Sequence, residues 1–369
     1  MSIDRITLTH VRVPLVEPFR ISSGQVSCKD GILVAVDSEG VRGYGEASPM
    51  AGAFYSADTP ESVWKDLTDI LIPAVLHHGS SSVAEINKVL KSAGGSPFAR
   101  AGVETAFWEL EGRKTNRPLW NLLGAENKPV ASGLAVGIYS SIPKLLDAVG
   151  RFMQEGYKRI KIKIQPGWDL GPLEAMRKLY PETPLMVDAN CAYTRNDIAH
   201  LKKLDTFGLM MIEQPLPKDD LEGHASLQAA LQTAVCLDES VEDVGSLEKA
   251  LALNACKIVN IKIQRVGGLM NAKAIHDRCK EKGIPVWAGT MPELGIGGAQ
   301  TLHLAMLENF AFPTDVESSA RWFTSEIIDP PLQVENGILR VAPGPGNGHR
   351  VNPNTVKKWT VRTAEFSLS

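Results

Sequence analysis

RIKIKI (159–164), PLMVD (184–188), LMMIE (209–213), AVCLD (234–238) and KIVNIK (257–262) are five short apolar runs, each carrying a charged residue at or near its end. Those residues are Lys163, Asp188, Glu213, Asp238 and Lys262, spaced by 25, 25, 25 and 24 positions. The period fits a repeating strand–loop–helix unit, with a strand of about five residues and a helix of about 11. Each charge then stands at the C-terminal end of its strand. In a (β/α)8 barrel, that end is where active sites are built.

The order base, acid, acid, acid, base carries chemistry. Three carboxylates converging from adjacent strands repel one another unless a divalent cation lies between them. An all-oxygen set favours a hard ion, Mg2+ (with Mn2+ as a substitute), over zinc. Lys163 and Lys262 fall on strands two and six, opposite one another across the mouth of a closed eight-stranded barrel. A substrate on the metal would meet one amine on each face.

Alternation in strand two (158–164) turns Ile160, Ile162 and Ile164 outward, and Lys161 and Lys163 inward. Lysines inside a barrel are costly unless they face anions or a polar mouth. The competing reading is a surface edge strand with solvated lysines; the isoleucine face and the regular period weigh against it. A lone carboxylate after a strand is usually a helix N-cap. Asp197 and Asp220 read that way, whereas three at equal spacing do not. Asn190 and Glu239 follow Asp188 and Asp238 closely and join the candidate site. Arg265, just past Lys262, reads equally as a surface residue or as a bias on the lysine's charge.

The remainder frames this barrel. Residues 3–47 alternate as strands, with a turn at 38–40. Residues 19–24, with Phe19 and Ser22, read as a mobile loop, and 47–58, with Tyr55, as another; for both, a plain connector is the competing reading. Helical spacing follows over 60–76, 82–93 and 99–114. Residues 1–125 are therefore expected to form an α+β capping domain. The barrel is expected over 126–327, its strand one at 132–138 (with Ala135), strand seven at 284–288, and a weak strand eight near 309–316. Residues 328–369 are expected to leave the barrel, pack back on the cap and close the mouth from outside.

Composition bounds the rest. An apolar content of 44% suits a globular enzyme, and a net charge of −3 gives no support for nucleic-acid binding. The five cysteines show neither CxxC nor zinc spacing, and no apolar run is long enough to span a membrane. The chain is expected in the cytoplasm, with no nucleic-acid or membrane partner.

KIKIQPGWD (161–169), VDANCAYT (187–194), IEQPL (212–216), LDES (237–240) and NIKIQRVGG (260–268) together resemble the enolase superfamily, in its muconate-lactonising-enzyme-like subgroup. The chain is most similar to the branch holding N-acylamino acid racemase and o-succinylbenzoate synthase. The resemblance spans nearly the whole chain. It implies Asp188, Glu213 and Asp238 as Mg2+ ligands, Lys163 and Lys262 as the acid/base pair, and Lys161 as support for carboxylate charge. It also implies a small carboxylate substrate and a homo-oligomer. The segment after strand seven departs from that family's W-x-G-G-M-L-E-[ST]-G-I-G-R-A pattern. It keeps Gly289, Met291 and Glu293 but has Thr290, Pro292, Leu294 and Gly298. Ala135 stands where a small polar residue is common. The catalytic set is thus expected intact and the substrate altered.

The implied first step is proton removal beside a carboxylate, giving an ene-diolate. Return on the other face makes a racemase, N-acylamino acid racemisation first. A β-hydroxyl makes a dehydratase, the o-succinylbenzoate synthase alternative. Dipeptide epimerase and cycloisomerase follow. A non-catalytic metal-binding barrel with a regulatory role is the remaining class, and it has no use for two lysines.

Overall fold

The computed structural model describes residues 3–79 and 82–367; the outermost residues of both terminal segments lie outside it. Three strands, Arg5–Ile21, Gly24–Ser38 and Val41–Ala47, form an antiparallel sheet. The C-terminal strand Thr360–Phe366 completes it by pairing with Arg5–Ile21. Helix Pro97–Lys114 packs on this sheet, and Val83–Ala93 packs on that helix. Each starts at a serine whose hydroxyl accepts a first-turn amide, Ser82 from Glu85 and Ser96 from Ala99.

Seven parallel strands follow in sequence order, from Leu134–Val136 to Val286–Ala288. Strand eight is reduced to bridging residues: Phe310 pairs with Val286 and Thr314 with Ser132. Gly133 N–H donates to Thr314 O at 2.8 Å, which joins strand eight to strand one and closes the barrel. Pro313 lies between the two bridges and has no N–H to donate, so a regular ladder stops there.

Strand alternation builds two cores. Ile160, Ile162, Leu185, Val187 and Ile212 face outward into the main core. Met186, Met211, Cys236, Ile258 and Trp287 form a separate buried cluster, the barrel's plug. Asp188, Glu213 and Asp238 each stand two residues beyond a plug residue, so they share its inward face. The carboxylates therefore sit on an apolar floor.

Buried glutamates fasten the cap to the barrel. Glu46 accepts from the amides of Leu294 and Gly297 at 2.8 and 2.9 Å, at the start of barrel helix Gly295–Leu304. Glu104 accepts from Leu269 and Met270 at 2.7 and 2.9 Å, at the start of Leu269–Glu281, and from the Trp108 indole at 2.9 Å. Helix starts leave amides unpaired and favour negative charge, which offsets the cost of burying these carboxylates. Gly268, with φ +125°, is required here, since a Cβ would press on Glu104. Glu104→Ala strands one buried and two half-buried donors and should cost about 2–4 kcal/mol. The check is a lowered denaturant midpoint at unchanged slope. Glu104→Gln keeps one acceptor oxygen and should cost less; equal losses would contradict the capping role.

Two expectations are corrected. Residues 19–24 are not a mobile loop: they are the tip of a long hairpin, with Phe19 paired to Val26 and Ile21 to Gly24. Thirteen register pairs in this ladder, continuing past an irregularity after Pro14, carry the strands out to the tip. The C-terminal segment packs back on the cap as expected, Thr360–Phe366 pairing with Arg5–Ile21, but part of it lies away from the mouth. Its strand Ile338–Leu339 pairs with Val130–Ala131, before strand one and hence at the opposite end of the barrel. Asp220 is the N-cap of Leu221–Ala230 as expected, whereas Asp197 is not the cap itself: Thr194 is, and Asp197 accepts from the Thr194 amide in its capping box.

Candidate active site

Lys163 Nζ donates to Asp188 at 2.5 Å and to Asn190 Oδ1 at 2.7 Å. Lys262 Nζ donates to Asp238 at 2.7 Å and to the Tyr55 hydroxyl at 3.0 Å. Between them stands Glu213, whose strand lies between those of Asp188 and Asp238. All three carboxylates are fully buried, and the two lysines nearly so. Lys161 completes the ring: its amine lies 3.3 Å from Glu213, 3.6 Å from Asp188 and in contact with Asp315. It also sits 4.9 Å from the centre of the Trp287 ring.

Burial dominates the electrostatics. It pulls the Lys163 amine below the ordinary lysine range, aided by the ammonium of Lys161 and opposed by Asp188. Burial also acts to lower Lys262, but Tyr55, Glu213 and Glu239 outweigh it and push that amine up. Glu213 is pushed up by burial and by the charge of Asp188. Two adjacent carboxylates at one dry site behave this way without further compensation.

The donor chemistry fits a hard divalent cation: three buried carboxylates, oxygen only, on neighbouring strands. As placed, each is turned to its own cation. Asp188 faces Lys163, Glu213 faces Lys161, and Asp238 faces Lys262 and Arg265. Among the described residues, no three His, Cys, Asp or Glu side chains converge closely enough to form a metal cage.

The other sequence candidates divide. Arg265 is buried; it bonds Asp238 and the carbonyls of Val241 and Asn260. The surface alternative therefore falls. Asn190 donates to Glu239 at 3.0 Å. Ser22, on the hairpin tip, donates to Ala189 O at 3.1 Å, which pins the tip over strand three. Phe19 packs edge-on to Trp322 at 4.9 Å. Ala135 lies in strand one, its amide donating to Glu317. Thr290 Oγ1 donates to Asp315 O at 3.3 Å. Glu293 is buried and accepts from the Met291 amide at 3.2 Å, close to Lys29 and Glu46 rather than bonded to the three carboxylates. Of the departures after strand seven, Leu294 packs against Gly31 of the cap sheet and Gly298 against Leu332, while Thr290, Pro292 and Gly298 line one small pocket with Asp315. The large cleft of about 830 Å³ is bordered by Tyr55, Asp58, Arg100, Lys218, Glu239 and Arg265, but not by Lys163 or Lys262. Tyr55 thus forms its wall toward the Lys262 amine.

Two family models match, "Mandelate racemase / muconate lactonizing enzyme, N-terminal domain" over residues 3–124 and "Enolase C-terminal domain-like" over 144–355. The chain belongs to this enolase-superfamily family. It is an enzyme of that superfamily. It is 41% identical to an o-succinylbenzoate synthase from Geobacillus kaustophilus, covering 98% of this chain and 96% of that one. It is 41% identical to an N-succinylamino acid racemase from Amycolatopsis, covering 98% of each. An enolase-superfamily member from Listeria innocua superposes with a TM-score of 0.95 at 34% identity, covering both chains fully.

Three residues of this constellation escaped the sequence reading. Asn260 donates to Glu213 at 2.6 Å and stands two positions before Lys262, so strand alternation alone would have turned it inward. Gly289 is required beside it, because a Cβ would collide with the Asn260 amide. Arg159 is likewise in phase with Lys161, and it pairs with Asp315 at 2.9 Å. Asp315 had no such signal, lying at the end of the broken strand eight.

Proposed function

We propose that the chain removes the proton from the carbon beside a carboxylate and returns one on the opposite face, racemising N-acylamino acids, N-succinylamino acids foremost. The observation that supports this most is the pair of buried amines flanking the carboxylate trio, Lys163 on the Asp188 side and Lys262 on the Asp238 side. Asp188, Glu213 and Asp238 would hold Mg2+, which supplies Lewis-acid stabilisation for negative charge growing on the substrate. Lys161, braced by Asp315, adds a fixed positive charge beside them. Asn190 orients the Lys163 amine and Tyr55 the Lys262 amine. The hairpin carrying Phe19 and Ser22 excludes water, which strengthens every charge inside.

One amine must arrive neutral and the other protonated. The opposite shifts of Lys163 and Lys262 run in that sense, Lys163 being the amine that loses its proton more readily. A base works only when neutral, so a lowered pKa brings activity at lower pH. Solvent exchange by a Lys262→Ala variant, driven by Lys163, should therefore rise at lower pH than exchange by Lys163→Ala. Midpoints in the reverse order would contradict the charge assignment.

The same charge difference supports a second reading, o-succinylbenzoate synthase, in which Lys163 is the base and Lys262 remains an ammonium beside the developing anion. Relatives of 41% identity carry that name too. Kinetic comparison of N-succinylamino acids with the β-hydroxy acid that dehydrates to o-succinylbenzoate decides between them by kcat/KM. Turnover of neither, with no α-proton exchange, would overturn both.

A further inference from the structure

Ser48 stands at the root of the 47–58 segment, and its peptide groups are held from two sides. Its N–H donates to Gln264 Oε1 at 2.9 Å. Its carbonyl accepts from Lys29 Nζ at 2.9 Å, and the same amine reaches Pro49 O at 3.1 Å. Gln264 Nε2 donates in turn to Glu46 O at 2.8 Å. Both holding side chains are buried, Gln264 at 1% and Lys29 at 3% exposure, so their bonds face no competition from water. Gln264 lies two residues past Lys262, in the short helix Ile263–Val266 that follows its strand. Further along the held segment, Tyr55 meets the Lys262 amine at 3.0 Å, its ring centre 5.1 Å from it. Lys163 bonds Asp188 and Asn190 and touches none of this set.

We propose that Gln264 and Lys29 are positioning residues specific to one half of the reaction. They clamp the root of the cap segment so that Tyr55 orients Lys262, and Lys163 is indifferent to them. The inference rests on the two-lysine reaction proposed above. The segment has no helix or strand of its own between Ala47 and Pro60, so its conformation depends on such anchors. An amine misplaced by about 1 Å can cost about 10²-fold in rate.

The test is α-proton exchange of each pure N-succinylamino acid enantiomer in deuterated solvent, followed by proton NMR. The Lys262-facing enantiomer is the one that Lys163→Ala still exchanges. Gln264→Leu and Lys29→Met should each slow exchange of that enantiomer by about tenfold or more, and of the other by less than about twofold. Tyr55→Phe should reproduce the same asymmetry. A merely structural role would lower both enantiomers in parallel, and that result overturns the proposal, as does loss of neither. If Lys29→Met does not fold, Gln264→Leu, which removes no charge, decides alone. Absence of any exchange by the unmodified protein would overturn the reaction itself together with the clamp, a result distinct from parallel loss.

Discussion

Replacing either Lys163 or Lys262 by alanine should all but abolish racemisation of N-succinylamino acids in both directions, by about 10²- to 10⁴-fold, the scale of a lost general acid or base. Each direction needs one amine to take the proton and the other to give one, so neither direction survives the loss of either lysine. The fold should survive. Asp188 still has Lys161 at 3.6 Å after Lys163→Ala, and Asp238 still has Arg265 after Lys262→Ala. Polarimetry of both enantiomers with each variant, beside a circular-dichroism melt, checks this. Retained racemisation in one direction would contradict the two-amine arrangement. Full dehydratase turnover by Lys262→Ala would contradict even the ammonium role of the second reading.

Glu213→Gln should remove most Mg2+ affinity and turnover together. Glu213 is the middle carboxylate, fully buried, and receives Asn260 at 2.6 Å and Lys161 at 3.3 Å. Glutamine keeps the volume but cuts the charge of the trio by one. It also turns an amide donor toward Asn260 or Lys161, both already donors. Loss of a ligand should exceed the about 10- to 100-fold that outer-shell changes cost in affinity. Titration calorimetry with Mg2+ reads the affinity, and chelation followed by readdition reads the turnover. Full turnover by chelator-treated protein would contradict the metal assignment.

The barrel was legible because strand ends repeat at 24–25 residues and strand residues alternate. Those two periodicities brought Lys161, Lys163, Asp188, Glu213, Asp238 and Lys262 to one mouth before any coordinate. The same alternation reaches Asn260 and Arg159, which carry no acid of their own to draw attention. Asp315 was hidden because Pro313 cuts strand eight after the short run Phe310–Phe312, two residues before the aspartate. The hairpin tip was misread because Arg20, Ser22 and Ser23 look like loop residues. Its order comes from contacts far away in sequence, Ser22 on Ala189 and Arg20 O accepting from Ile138 at 2.8 Å. The glutamates of the cap were illegible for the same reason: Glu46 and Glu104 face helix starts more than 160 residues away. Local pattern encodes which face a residue takes, and only packing decides what it meets there.

The central claim is that each lysine serves one face of the reacting carbon. The direct measurement is proton NMR of α-proton exchange in deuterated solvent, with both pure enantiomers of an N-succinylamino acid against both single-lysine variants. With one amine left, abstraction and return still occur on the remaining face. Lys163→Ala is therefore expected to exchange one enantiomer only, and Lys262→Ala only the other, each without inversion. Exchange of the same enantiomer by both variants would contradict the two-face arrangement.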